Sequence, residues 1–258
     1  MAKSIAIAGK GGIGKSTVAA LIVKRLIERG EKDVLTIDAD PDANLGTLLG
    51  IEEEGSIGEL REEVLKEIKN FPAGMSKASY VEAGLHQIIV ETDGFDLITM
   101  GRSEGSGCYC YLNNLIRKFS DDLTPSYRWI VIDNEAGLEH LSRQTTQNVD
   151  ALVVVVTENP LSLHSAKNIV ELVQDLDSRI GSTYAVTNMV KPKNIPKIKD
   201  RLAKIGLDLL CEIPYDEALE SMVFEEEKIG STAGLAVLDP IDTIIETLGA
   251  IGEQRGTA

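Results

Sequence analysis

Apolar residues in this chain fall into two patterns: short, nearly unbroken runs, and longer stretches where they recur every three or four positions. The runs are Ile5-Ala6-Ile7-Ala8, Val34-Leu35-Thr36-Ile37, Phe95-Asp96-Leu97-Ile98-Thr99-Met100, Trp129-Ile130-Val131-Ile132, residues 151–156, Tyr184-Ala185-Val186-Thr187-Asn188 and residues 209–213. Runs this short and this rich in β-branched residues predict strands covered on both faces, as in a parallel sheet. The periodic stretches predict the covering helices. One runs from residue 16 to about residue 29 and stops at Gly30, a natural C-cap residue. Others lie at about residues 111–119, from near Ser162 onward, and at the end of the chain, where Ile241, Ile244, Ile245, Leu248 and Ile251 share one face. Ile57, Leu60, Val64, Leu65 and Ile68 predict an amphipathic helix, and Val81, Leu85, Ile88 and Ile89 a second, so residues 51–92 read as a helical insertion. The alternation predicts one α/β domain over residues 1–258, with a mostly parallel sheet of about seven or eight strands flanked by helices.

Composition narrows the class. The 258 residues are 43% hydrophobic, ample for a buried core. With 26 basic against 41 acidic residues the net charge is -15, and no dense basic run stands out, so nucleic acid is not an expected partner. No stretch approaches the ~20 apolar residues that cross a bilayer, and no secretory signal opens the chain. Three cysteines suit a reducing compartment better than a disulfide framework. The expectation is a soluble, cytoplasmic protein with no membrane partner.

The chemistry begins where the first strand meets the first helix. Gly9-Lys10-Gly11-Gly12-Ile13-Gly14-Lys15-Ser16-Thr17 contains G-x-x-x-x-G-K-S, a P-loop. Its glycines let backbone N–H groups converge on phosphate oxygens, and the helix N-terminus adds partial positive charge. In such a loop Lys15 reaches the β- and γ-phosphates and the Ser16 hydroxyl binds Mg²⁺. The second strand ends in Asp38-Ala39-Asp40-Pro41-Asp42-Ala43-Asn44, a carboxylate cluster suited to a ligand-facing loop; Pro41 and Asn44 equally suit a plain polar turn. Another strand runs into Asp133-Asn134-Glu135-Ala136-Gly137, as a Walker B segment does.

The second lysine of the loop, Lys10, is the feature that resembles the deviant P-loop ATPases, the group of MinD, ParA-type partition proteins and the nitrogenase iron protein. That resemblance implies ATP and ADP as ligands, with Lys10 and Lys15 catalytic and Lys10 crossing a homodimer interface to the partner's nucleotide. It implies that Asp40 positions the attacking water, that Asp38 supports the Mg²⁺ site and that Asp133 binds Mg²⁺ through water. It makes Asn188 the candidate for adenine, with Pro214 beside the base. MinD-type chains end in a basic membrane-binding helix; here the polar face carries Asp242 and Glu246, which assigns the last helix to the core.

Cys108 and Cys110 set the chain apart from most of that group. An iron-protein cluster needs a further cysteine just beyond the second switch, where Gly137-Leu138-Glu139-His140-Leu141 has none. Two thiolates are too few for a closed tetrahedral site, and a symmetric dimer would supply four. Gly105-Ser106-Gly107 favours a turn at about residues 101–111 over a helix through the pair. A C-x-C pair across the two-fold axis resembles the CooC-type nickel-insertion ATPases of carbon monoxide dehydrogenase, and the likeness extends along nearly the whole chain. It implies Zn²⁺ or Ni²⁺ held between two copies, with nickel-containing carbon monoxide dehydrogenase as partner. The alternatives are a MinD/ParA-type positioning or partition ATPase and an iron–sulfur electron-transfer ATPase. Cys211, inside a strand, is expected to be a buried small hydrophobe.

Overall fold

A computed structural model describes residues 2–52, 54–66, 76–102, 123–136, 148–175, 179–225 and 227–255. The chain starts β1 (Lys3–Gly9), α1 (Lys15–Glu28), β2 (Val34–Ala39), then α2 (Leu45–Leu49), α3 (Ile57–Lys66) and α4 (Lys77–Gln87). Next come β3 (Val90–Glu91), β4 (Phe95–Thr99), β5 (Trp129–Asn134), β6 (Asn148–Val156), α5 (Pro160–Asp175) and β7 (Arg179–Asn188). The described helices and strands close with α6 (Ile195–Ala203), β8 (Asp208–Ile213), α7 (Glu217–Phe224) and α8 (Leu238–Arg255). Among the described residues the sheet has eight strands in the order β3-β4-β2-β5-β1-β6-β7-β8. Every pairing is parallel except β3 with β4. A mostly parallel sheet under helices is therefore the fold, as the runs predicted.

Each apolar run proves to lie in a strand, buried in the central strands and only half-buried in the edge strand that holds residues 209–213. The expected strand at residues 151–156 begins at Asn148, and that at 184–188 begins at Arg179. The expected strand through Met100 stops at Thr99, although the Met100 N–H still donates to the Asp38 carbonyl at 2.7 Å. β3 departs from expectation. Ile88 and Ile89 were expected in a helix, but α4 ends at Gln87 and the chain turns into a two-residue antiparallel edge strand. So short a strand exists only through its pairing with β4 and leaves no periodic trace.

Two apolar layers sandwich the sheet. On one face α1 and α8 pack against Ile5, Ile7, Val131, Val153 and Val155. On the other, α3 to α6 pack against Ala6, Ala8, Ile132, Leu152 and Val154. The insertion thus joins the core: Ile57, Leu60, Val64, Val81 and Leu85 are buried, while Leu65 faces out. α3 also sits close against the chain leaving β4, because a Cβ at Gly58 would collide with the Arg102 carbonyl oxygen. The last helix belongs to the core as predicted, and its acidic face meets cations of α1. Arg25 donates from Nε and Nη2 to the two carboxylate oxygens of Asp242, each at 2.8 Å, and Arg29 bridges Asp242 and Glu246. Cys211 is partly buried; its Sγ lies 3.5 Å from the Pro240 carbonyl oxygen, and burial pushes its thiol up to about 12. That makes it inert, as expected of a core cysteine.

Candidate nucleotide site

The carboxyl ends of β1, β2 and β5 lie side by side at the centre of the sheet, with Ile7 and Asp38 both in register with Asp133. β1 lies between β5 and β6; the helix that follows β1 covers one face of the sheet and the helix that follows β6 covers the other. This is the place where an open α/β sheet accommodates a ligand.

Glycine is required at the two ends of the loop. Gly9 has φ +145, and a Cβ there would meet the Val155 carbonyl oxygen at 2.7 Å. Gly14, in the N-cap position of α1, has φ +90, and its missing Cβ leaves room for the Asn188 amide. That amide donates from Nδ2 to the buried Ile13 carbonyl at 2.8 Å, tying the end of β7 to the loop. α1 starts without a side-chain cap, so its first N–H groups remain available to an anion. Lys15 is only 5% exposed and its Nζ stands 4.0 Å from Asp40. Gly11 and Gly12 are exposed and Lys10 half-exposed. Gly11 approaches the chain leaving the strand Trp129–Asn134, where a Cβ on it would contact Ala136 at 3.7 Å.

The carboxylates at the strand ends differ in their partners. Asp38 accepts the Asp40 N–H at 3.0 Å on one oxygen and the Leu45 N–H at 2.9 Å on the other, which shapes the loop between β2 and α2. Asp40 accepts the Asp42 N–H at 3.1 Å, and Ala43 completes the turn in the left-handed region with φ 48. Asp133 is fully buried, and neither of its oxygens meets hydrogen-bond geometry with any neighbour. Burial pushes its carboxyl up to about 6; the Ser16 hydroxyl and the Lys15 ammonium pull the other way, and Asp40 adds to the rise. A buried carboxylate without a firm partner, beside a serine hydroxyl at the start of the P-loop helix, is a donor set that suits a hard divalent cation such as Mg²⁺.

Of the residues singled out from sequence, the fold gathers residues 9–17, Asp38, Asp40, Asp133 and Asn188 at this one place. Pro214 is exposed on the neighbouring strand end, immediately after Ile213, which pairs with Asn188. Cys108 and Cys110 lie outside the described residues, as do most of the 101–111 turn, the 111–119 helix and Gly137. Among the described residues no cluster of histidine, cysteine and carboxylate side chains is arranged to hold a metal. Among them, too, no helix is long and apolar enough to cross a membrane.

Sequence reasoning assigned no role to Asn134. Its Nδ2 donates to the Ile7 carbonyl at 2.9 Å, bracing the last turn of β1 before the loop, while its buried Oδ1 has no partner. The only sequence signal was a polar residue directly after the strand-end aspartate.

Comparison with known proteins agrees with this geometry. Residues 4–229 match the CobQ/CobB/MinD/ParA nucleotide binding domain. An uncharacterized ATP-binding protein of Methanocaldococcus jannaschii is 43% identical over 217 residues, covering 83% of this chain and 85% of the relative. The carbon monoxide dehydrogenase accessory protein CooC of Rhodospirillum rubrum is 33% identical over 228 residues, covering 84% and 85%. Among solved structures, the septum site-determining protein MinD of Pyrococcus horikoshii, complexed with Mg-ADP, superposes with a TM-score of 0.65 at 18% identity, covering 97% of this chain and 99% of that one. With its P-loop at the carboxyl edge of a mostly parallel sheet and the family match over most of its length, the chain belongs to the CobQ/CobB/MinD/ParA nucleotide-binding domain family.

Proposed function

We propose that this protein is a Mg²⁺-dependent ATPase that works as a nucleotide-switched homodimer in nickel insertion into carbon monoxide dehydrogenase. Cys108 and Cys110 of each copy would share one Zn²⁺ or Ni²⁺. The observation that carries the ATPase reading is the buried, unbonded Asp133 carboxylate beside Ser16, with Lys15 and Asp40 close by. The 33% identity to CooC supports the nickel reading, and so does the C-x-C spacing in the sequence.

In this reading the loop N–H groups and Lys15 hold the β- and γ-phosphates. Ser16 and Asp133 are the residues that would hold Mg²⁺, which when bound neutralises charge on the phosphate oxygens. Asp40 orients the attacking water. Its carboxylate stands 4.0 Å from Lys15, next to the phosphates that the lysine would hold. Lys10 reaches the partner's nucleotide and completes each site. Asp38 acts on the same chemistry indirectly, through the loop that carries Asp40. Asn188 and Pro214 would contact the base; the proximity of Asn188 to the loop, with its amide nitrogen bound to the loop carbonyl, supports that role. Because nucleotide favours the closed dimer, it also brings four thiolates together, and by linkage metal and nucleotide strengthen each other's binding.

Two measurements test this together: ATP turnover of Asp40→Asn, and metal content with sedimentation of the Cys108→Ala/Cys110→Ala double variant. The first should bind Mg·ATP yet hydrolyse it far more slowly. The second should retain Mg·ATP binding, lose about one metal ion per dimer and dimerise less readily with metal. Parental turnover in Asp40→Asn would remove Asp40 from the mechanism. Equal metal content in the double variant and the parent would remove the shared thiolate site and leave the ATPase.

A further inference from the structure

We infer that the outward face of α6, with the turn leading into it, is a docking surface for a carboxylate-rich protein partner. The sequence shows no solid basic run because apolar residues interrupt it. Over residues 191–204 the chain reads KPKNIPKIKDRLAK, six cations against one carboxylate. That is a net of +5 in a chain of net -15, so the remaining residues carry -20. The fold separates the two interleaved patterns. Ile195, Ile198 and Leu202 point into the core, while all six cations are exposed. Lys193, Lys197, Arg201 and Lys204 are spaced by four, four and three residues, which places them along one stripe of the 3₁₀ turn Pro192–Asn194 and α6.

These cations differ from the arginines of the rest of the fold that meet carboxylates. Arg25, Arg29, Arg102 and Arg128 each have a carboxylate partner elsewhere in the fold. In the basic stripe only Lys204 is paired, with Asp200 at 2.7 Å. Among the described residues Lys193, Lys197 and Arg201 form no ion pair, although the chain has an excess of carboxylates. At the start of the segment Glu158 accepts the backbone N–H of Lys191 at 2.6 Å, and its carboxyl is held low by that bond, by Asn194 and by the field of Lys191 and Lys193. A local positive patch on a negative body is an arrangement that orients an approaching acidic surface and repels the partner from other faces.

The details favour a protein over other polyanions. α6 is nine residues, about 13 Å long, so duplex DNA lying across it would extend over the acidic remainder. No aromatic side chain in residues 191–204 offers a base a stacking platform. An anionic bilayer calls for apolar side chains to insert, and those of α6 are buried beneath it. Five of the six cations are lysines, hydrated point charges suited to a fast, salt-sensitive encounter. The patch begins three residues beyond Asn188, so a docked partner would lie next to the nucleotide site.

The test uses the full chain with fluorescent poly-L-glutamate, a short DNA duplex and phosphatidylglycerol vesicles as separate probes at equal charge concentration. The parent should bind poly-L-glutamate at low salt and release it as salt is raised. Lys193→Glu/Lys197→Glu/Arg201→Glu should lower that affinity by at least about tenfold while nucleotide binding is unchanged. The milder Lys193→Gln/Lys197→Gln should fall between, which keeps the test usable if charge reversal impairs folding. Equal affinity of parent and variants for poly-L-glutamate overturns the inference. So does tighter binding to duplex DNA, or recruitment to vesicles, that the same substitutions abolish.

Discussion

The ends of β2 and β5 differ in a way that their sequences do not announce. Asp38 and Asp133 close adjacent strands, face each other in register and are both fully buried. Asp38 has a backbone amide on each oxygen, so its charge is compensated locally and the loop it binds is held in shape. Asp133 has no such bond, and burial pushes its carboxyl up to about 6. A buried charge is tolerated where N–H groups neutralise it; without them it costs stability until a ligand supplies the positive charge. One strand end therefore has its charge compensated by backbone amides, and the other has only the Ser16 hydroxyl and the Lys15 ammonium to favour its charged form.

The largest expected effect comes from removing the cation between the two regions. Lys15→Ala should weaken nucleotide binding by about 2–5 kcal/mol, because it leaves buried phosphate charge unpaired. It should also push the Asp133 carboxyl further up, since Lys15 is one of the groups that lower it. Calorimetric titration with ATP checks the first effect; an affinity matching the parent would place Lys15 outside the site.

Asp38→Ala should destabilise the unliganded protein by about 2–4 kcal/mol, leaving the Asp40 and Leu45 amides without their acceptor. Thermal unfolding without nucleotide measures it. Asp133→Asn should act with the opposite sign in the same assay. The folded carboxyl at about 6 lies above the ordinary 3.8, so the native state binds more protons between those values. The buried charge thus costs its full amount above about pH 6, less as pH falls, and nothing below about pH 4, roughly 3 kcal/mol at most. Asp133→Asn should accordingly be more stable than the parent at neutral pH, with the gap closing on acidification, and should bind Mg-nucleotide poorly. A constant gap across that range would mean that Asp133 does not titrate there.

Asn188→Ala sharpens the comparison at a third strand end. Losing the donor to the Ile13 carbonyl should cost about 1–2 kcal/mol of affinity. If the amide acts only by holding the loop, ATP and inorganic triphosphate should weaken equally; if it reads adenine, ATP alone should weaken. Competition binding with the two ligands separates these roles. The smallest effect is expected for Arg25→Ala, which removes a half-exposed pair between α1 and α8 far from the phosphates. About 1 kcal/mol of stability should be lost, with nucleotide affinity unchanged, as a combined unfolding and binding measurement would show.

The sequence by itself determined the sheet and the loop. Strands covered on both faces must be apolar throughout, so Ile5-Ala6-Ile7-Ala8 and Trp129-Ile130-Val131-Ile132 are legible as runs. A backbone that bends around phosphate needs glycine at Gly9 and Gly14 and a cation at Lys15, so the motif is written locally. The acidic face of the last helix was legible too, though not that Arg25 and Arg29 meet it. Only the tertiary structure decided which of two similar aspartates has its charge compensated. That depends on which N–H groups the loop after β2 points back at Asp38, and on none being pointed at Asp133. It alone gave Asn134 and Asn188 their carbonyls, 127 and 175 residues away in sequence, and separated the cations of α6 from the isoleucines between them. Local patterns record what a residue prefers to be near, whereas hydrogen bonds and charge compensation depend on distant chain segments brought together by folding.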